Sequence, residues 1–102
     1  MDGFHYNISG EYAVELVEKN RRQRVGSISI CNTNATLPCY VDLYIKKVDK
    51  GTFYLMKNVE LPAGTTLEAS NISFHSANDG FALYIKLTKS ASETPTVDVI
   101  LR

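Results

Sequence analysis

Apolar and polar residues alternate along most of this chain with a period of two, the spacing of a strand with one buried face. The clearest case puts Phe81, Leu83, Ile85 and Leu87 against Ala82, Tyr84, Lys86 and Thr88. From Pro38 to Val48 a long strand is predicted, with Cys39, Val41, Leu43 and Ile45 inward and Tyr40, Asp42, Tyr44 and Lys46 outward. Val25 to Asn32 reads as a strand with Ile28 and Ile30 on one face. Tyr12, Val14 and Leu16 mark another over residues 11–17, and Val97, Val99 and Leu101 close the domain. Shorter strands are predicted at Thr52–Met56, Thr65–Ala69 and Ile72–Phe74. Asp49-Lys50-Gly51 reads as a hairpin turn and Ser76 to Gly80 as another. About eight short strands separated by turn signals predict an all-β fold, an antiparallel β-sandwich. The predicted core takes Ile28, Ile30, Val41, Leu43, Ile45, Phe53, Leu55, Leu83, Ile85, Val97 and Val99.

The stretch from Phe53 to Leu67 joins an aromatic and apolar run to a Pro62-Ala63-Gly64 turn. Pro62 is expected at the first corner, where its φ is preset, and Gly64 at the later corner with φ > 0. Tyr54-Leu55-Met56-Lys57-Asn58-Val59, followed by Leu61-Pro62-Ala63-Gly64-Thr65-Thr66-Leu67, resembles a pattern in small virion structural proteins of tailed bacteriophages. Ile28 to Thr33 and Val97 to Leu101 fall where that pattern has strands, so the resemblance spans roughly residues 12–102. It implies a sandwich that assembles on a virion, and it carries over no catalytic residue.

The length of 102 residues suits one domain. Residues 11–102 are expected to form it. Residues 1–10 read as an N-terminal arm or flexible segment, in which alternating Phe4, Tyr6 and Ile8 could add a strand to a neighbouring subunit. Eleven basic and 11 acidic residues cancel. Zero net charge counts against a free-standing nucleic-acid binder and permits self-association. No apolar run is long enough to span a bilayer as a helix. Met1 to His5 has neither the basic start nor the apolar core of a signal peptide, so synthesis in the host cytoplasm is expected, with the virion as destination. The sequons at Asn7, Asn34 and Asn71 then read as chance occurrences.

Little in the chain suggests covalent chemistry. His5 and His75 lack the nucleophile and orienting partner that a catalytic histidine needs. Two cysteines and a distant histidine fall short of a zinc site, and no phosphate-binding loop is present. No enzyme activity, metal or cofactor is expected. Side-chain parity sets Cys31 with Ser27 and Ser29 but Cys39 with Val41, and a register placing Ile30 opposite Val41 keeps the apolar face together. An intrachain disulfide is therefore not predicted. Cys31, on the polar face, is the candidate for an intermolecular cross-link.

Phe4, Tyr6, Ile8, Tyr40, Tyr44 and Tyr84 are the candidate interface residues, because aromatic side chains are enriched at such contacts. Arg21, Arg22 and Arg24 form a candidate electrostatic contact. The expected function is a non-enzymatic structural component of a tailed-phage virion. It would dock as an oligomer on capsid, neck or tail proteins and stabilise the assembly, with no membrane partner. The alternative is a carbohydrate- or receptor-binding sandwich module; a nucleic-acid binder using Arg21, Arg22 and Arg24 ranks below it, since zero net charge counts against it.

Overall fold

The computed structural model describes residues 4–19, 24–70, 72, 74–75 and 80–102, with backbone alone at His75. Among the described residues ten strands follow one another: β1 (Phe4–Ser9), β2 (Ala13–Val17), β3 (Arg24–Val25), β4 (Ile28–Asn32), β5 (Cys39–Lys47), β6 (Gly51–Leu61), β7 (Thr66–Ala69), β8 (Phe74–His75), β9 (Ala82–Lys89) and β10 (Thr96–Leu101). Eight of them make two four-stranded antiparallel sheets, ordered β1-β10-β4-β7 and β2-β9-β5-β6. The remaining pair, β3 and β8, forms a two-stranded ribbon. The smallest dimension is 19 Å, which fits two sheets about 10 Å apart with their outer side chains.

The expected antiparallel β-sandwich is the observed architecture, and its strand order specifies it further. The connections β1→β2, β4→β5, β6→β7 and β9→β10 all pass from one sheet to the other. Only the β5–β6 hairpin joins consecutive strands within a sheet among these eight. Two interleaved four-stranded sheets connected this way make a jelly roll. The expected pairing of Ile30 with Val41 does not occur, because β4 and β5 lie in different sheets. Ile30 instead sits between Val99 of β10 and Leu67 of β7.

Inward residues of both sheets form one core. Leu83, Ile85 and Leu87 of β9, Val41 and Leu43 of β5, Ile28 and Ile30 of β4, and Val97, Val99 and Leu101 of β10 are all buried. The ribbon adds Val25 and Phe74 to the same cluster. Ile45 packs against this core while remaining half-buried.

Three expectations are corrected. Residues 4–9 are not an arm: β1 pairs along its whole length with β10, from Phe4 opposite Leu101 to Ser9 opposite Thr96. Ile8 is buried in the core, and the Tyr6 hydroxyl donates to the Leu16 carbonyl of β2 at 2.6 Å. The edge of β10 within the same chain therefore receives the strand that was expected to seek a neighbour. Second, Phe53 and Leu55 are not core residues, being 51% and 45% exposed. They lie on the edge strand β6, which runs eleven residues while β7, the strand it turns into, runs four. Third, Tyr12 precedes β2 and is largely exposed.

Phe53 keeps its inward parity opposite Ile45 but stands on the sheet edge, and the register between β5 and β6 explains Leu55. Tyr44 faces Tyr54, yet Leu43 faces Met56, so Leu55 is an extra residue bulged from the ladder. A second irregularity follows, because Val41 faces Val59. There Asn58 adopts φ +52°, and its N–H donates to Asp42 Oδ1 at 2.6 Å. Each insertion shifts the parity of the strand, so uninterrupted alternation misplaces its side chains.

Asn32 is the buried polar residue among the described residues. Its Nδ2 donates to the carbonyls of Leu37 and Leu61, both at 3.0 Å, and its Oδ1 accepts from Asn34 N–H. Its backbone reaches the β6–β7 turn, accepting from Gly64 N–H and donating to the Thr65 carbonyl. This fully bonded amide ties β4, the following loop and the end of β6 together. The turn runs from Pro62 to Thr65, closed by Thr65 N–H to the Pro62 carbonyl at 3.3 Å. Pro62 therefore stands one place earlier than expected. Gly64 has φ +68°, as its expected role requires.

Candidate functional site

The outer face of the β2-β9-β5-β6 sheet carries an aromatic row. Inward apolar side chains on β5 leave Tyr40, Asp42, Tyr44 and Lys46 pointing outward, and the neighbouring strands set opposite them residues of the same parity. Tyr44 lies between Tyr84 and Tyr54. It stacks on Tyr84 with ring centroids 5.4 Å apart and planes within 4°, and meets Tyr54 at 5.3 Å in a tilted contact. Glu15, opposite Tyr84 on β2, accepts from its hydroxyl at 3.3 Å. At the other end Lys57 Nζ stands 4.6 Å from the Tyr54 ring centroid. The row thus crosses all four strands, between a carboxylate and an ammonium.

Burial, then the Tyr54 and Asp42 charges, raise the Tyr44 phenol above its ordinary pKa. Burial also raises Tyr84, with the Glu15 carboxylate and its hydrogen bond adding to the effect. Both rings therefore hold their protons more tightly than free phenols do. Tyr44, Tyr84 and Tyr40 are half-buried. Phe53, Tyr54 and Leu55 on β6 expose more large apolar surface. Phe53 meets Phe81 edge-to-face at 5.9 Å, and Lys47 covers Phe81 at 5.9 Å.

The candidate interface residues therefore lie on two separate surfaces. Tyr40, Tyr44 and Tyr84 share the outer sheet face. Phe4 and Tyr6 lie on β1 in the opposite sheet, Phe4 exposed and Tyr6 half-buried. Of the exposed run on β6, Tyr54 belongs to the first surface, whereas Phe53, opposite Ile45, and the bulged Leu55 were assigned to the core from sequence. The polar Lys57-Asn58 pair, with Asn tolerant of left-handed backbone, is the signal that could have revealed the break in alternation.

Arg24 is exposed on β3 opposite His75, and Arg21 and Arg22 lie outside the described residues. Cys31 is half-buried in mid-sheet, opposite Asp98 on one side and Thr66 on the other. Cys39 is buried in the other sheet, where desolvation raises its thiol pKa. Both thiols are free. Among the described residues, no group of three or more His, Cys, Asp or Glu side chains comes together to hold a metal ion.

A recess lies at the end of the sandwich where the β1–β2 and β9–β10 connections meet. It is open to solvent, has a volume of about 380 Å³ and is lined by residues from Gly10 to Tyr12, by Lys89 and by residues between Ser92 and Pro95. Lys89 N–H donates to Glu11 Oε2 at 3.0 Å, and Lys89 Nζ lies 3.9 Å from Glu11 Oε1. Gly10 N–H donates to the Pro95 carbonyl at 3.0 Å.

No protein-family model matches the chain, and no curated protein sequence matches it significantly. Solved structures are similar in fold. The crystal structure of PirA aligns with a TM-score of 0.63 at 11% identity, covering 100% of this chain and 96% of that one. A chain in the structure of the infectious bursal disease virus Gx strain aligns with a TM-score of 0.54 at 16% identity. That alignment covers 98% of this chain and 28% of the viral chain. At these identities the likeness establishes the fold.

Proposed function

We propose that this chain is a non-enzymatic structural component of a tailed-phage virion, docking on the capsid or at the neck or tail through the β6 side of its tyrosine-bearing sheet. The observation that carries the reading is Phe53-Tyr54-Leu55, three consecutive exposed large apolar residues on a strand at the edge of its sheet. Such an edge offers unpaired backbone groups beside apolar surface, a combination suited to a partner chain or a second copy. Burying this surface would stabilise the assembly by excluding water from it. Jelly rolls serve in viral capsids and in lectins. The partial likeness to a chain of a viral structure supports the reading at the level of fold, and the Phe53–Leu67 pattern supports the phage setting.

The test is mass spectrometry of virions purified from the encoding phage, with particles assembled from Leu55→Asp beside wild type. The expected result is a stoichiometric virion component whose incorporation falls with Leu55→Asp while the isolated domain keeps its melting temperature. Absence from clean particles, or unimpaired docking of Leu55→Asp, overturns the proposal.

A further inference from the structure

We infer that the recess between the β1–β2 and β9–β10 connections is a binding site for a neutral sugar ring, separate from the β6 surface. Three observations carry this inference. The first is an exposed aromatic platform. Tyr12 is 75% exposed, yet its ring rests over Gly10: a Cβ added to Gly10 would fall 2.7 Å from Tyr12 Cε2. Gly10 also has φ +102°, so its lack of a side chain serves both the turn and the ring placed on it. The ring can offer an apolar face to the C–H groups of a pyranose.

The second observation is the polarity of the wall. Ser92 and Thr94 bring hydroxyls, which donate and accept, and Glu11 has acceptor capacity beyond its bond to Lys89 N–H. Donors and acceptors around an apolar platform match a ring with hydroxyls at its edge and C–H groups on its face. The Glu11 and Lys89 charges offset each other, which favours a neutral ligand over an anion such as phosphate.

The third is preorganisation. The walls are tied together by the Gly10–Pro95 and Lys89–Glu11 bonds. The β9–β10 connection is also braced from outside, by Ser90 Oγ to the Pro38 carbonyl at 2.7 Å and Asn34 Nδ2 to Glu93 Oε2 at 3.0 Å. A recess held open by its own bonds avoids ordering costs on binding. Its volume lies within the range of small-ligand sites, about 300–1,000 Å³.

The experiment is a two-dimensional amide NMR titration of the full chain with neutral monosaccharides: glucose, galactose, mannose and N-acetylglucosamine. Inorganic phosphate serves as the charged control. At least one sugar is expected to shift amide signals at Gly10–Tyr12 and Ser92–Thr94. Tyr12→Ala is expected to weaken that response by about tenfold or more, as for an aromatic contact at the centre of a binding site. Tyr44→Phe should leave it unchanged. The inference is overturned if no sugar produces shifts there, if Tyr12→Ala responds like wild type, or if phosphate produces the same response. It is also overturned if the shifts cluster on the Tyr44–Tyr54 face. Because the recess and β6 are distinct surfaces, these outcomes are independent of docking through β6.

Discussion

β9 and β6 look alike as sequences and behave differently as strands. Each carries a run of large apolar residues in one sheet. β9 lies between β2 and β5, so both backbone edges are paired and its alternation survives intact: Leu83, Ile85 and Leu87 are buried. β6 lies at the edge, is paired only with β5 and departs from regular register twice. Its Phe53, Tyr54 and Leu55 remain exposed. Hydrophobicity alone does not place a side chain in a sandwich. Placement also depends on the strand's position in its sheet and on an opposite sheet to pack against.

The largest expected effect comes from cutting equivalent side chains on the two strands. Leu83→Ala empties a fully buried site and should cost about 2–5 kcal/mol. Leu55→Ala should stay within about 0.5 kcal/mol, since the side chain is bulged and exposed. Urea unfolding of both variants checks this, and equal losses would return Leu55 to the core.

A smaller effect separates the two positive-φ sites around the end of β6. Gly64→Val should cost about 1–3 kcal/mol. An added Cβ at Gly64 has no neighbour within 4 Å, so the loss would come from backbone strain rather than a clash. Asn58→Gly keeps the N–H donated to Asp42 and should change stability by less than about 0.5 kcal/mol. A Gly64→Val melting temperature equal to that of wild type would show that the turn accepts a β-branched residue at no cost.

The smallest effect is alkaline. Folding raises the pKa of Tyr44 and of Tyr84, so the folded state holds more protons than the unfolded chain once pH passes the ordinary phenolic value of about 10. Their contribution to stability is fully present below that value and is lost as pH rises through the folded-state pKa values. Absorbance titration should show late-ionising tyrosines, and Tyr84→Phe should flatten the fall in melting temperature above pH ~10. A melting temperature that falls equally steeply in Tyr84→Phe would remove Tyr84 from the account.

The sandwich, most inward residues of β5, β9 and β10, and the Gly64 turn were legible in the alternation and punctuation of the chain. Strand order was not. The connection from Asn32 to Pro38 is short enough to read as a hairpin, but it crosses between sheets. The crossing is held by the Asn32 amide reaching Leu61 in the other sheet, a long-range bond that local spacing does not encode. The tyrosine row was half legible. Parity set Tyr40, Tyr44 and Tyr84 outward, while the exposure of Leu55 comes from a bulge and that of Phe53 from its place on the sheet edge, neither of which a strict period of two anticipates. The Tyr12 recess was missed because Tyr12 continues the alternation of Val14 and Leu16. Its position depends on the left-handed turn at Gly10.

The pairing of β1 with β10 bears on how the molecule comes into being. Phe4 meets Leu101 and Ser9 meets Thr96, so β1 leaves the ribosome long before the strand it pairs with. Until β10 emerges, β1 and β4 lack the strand that joins them. Closing loops of that length is entropically costly before any contact offsets it. This sheet therefore cannot be completed in chain order: β10 inserts between β1 and β4, and their facing backbone edges stay unpaired until it arrives.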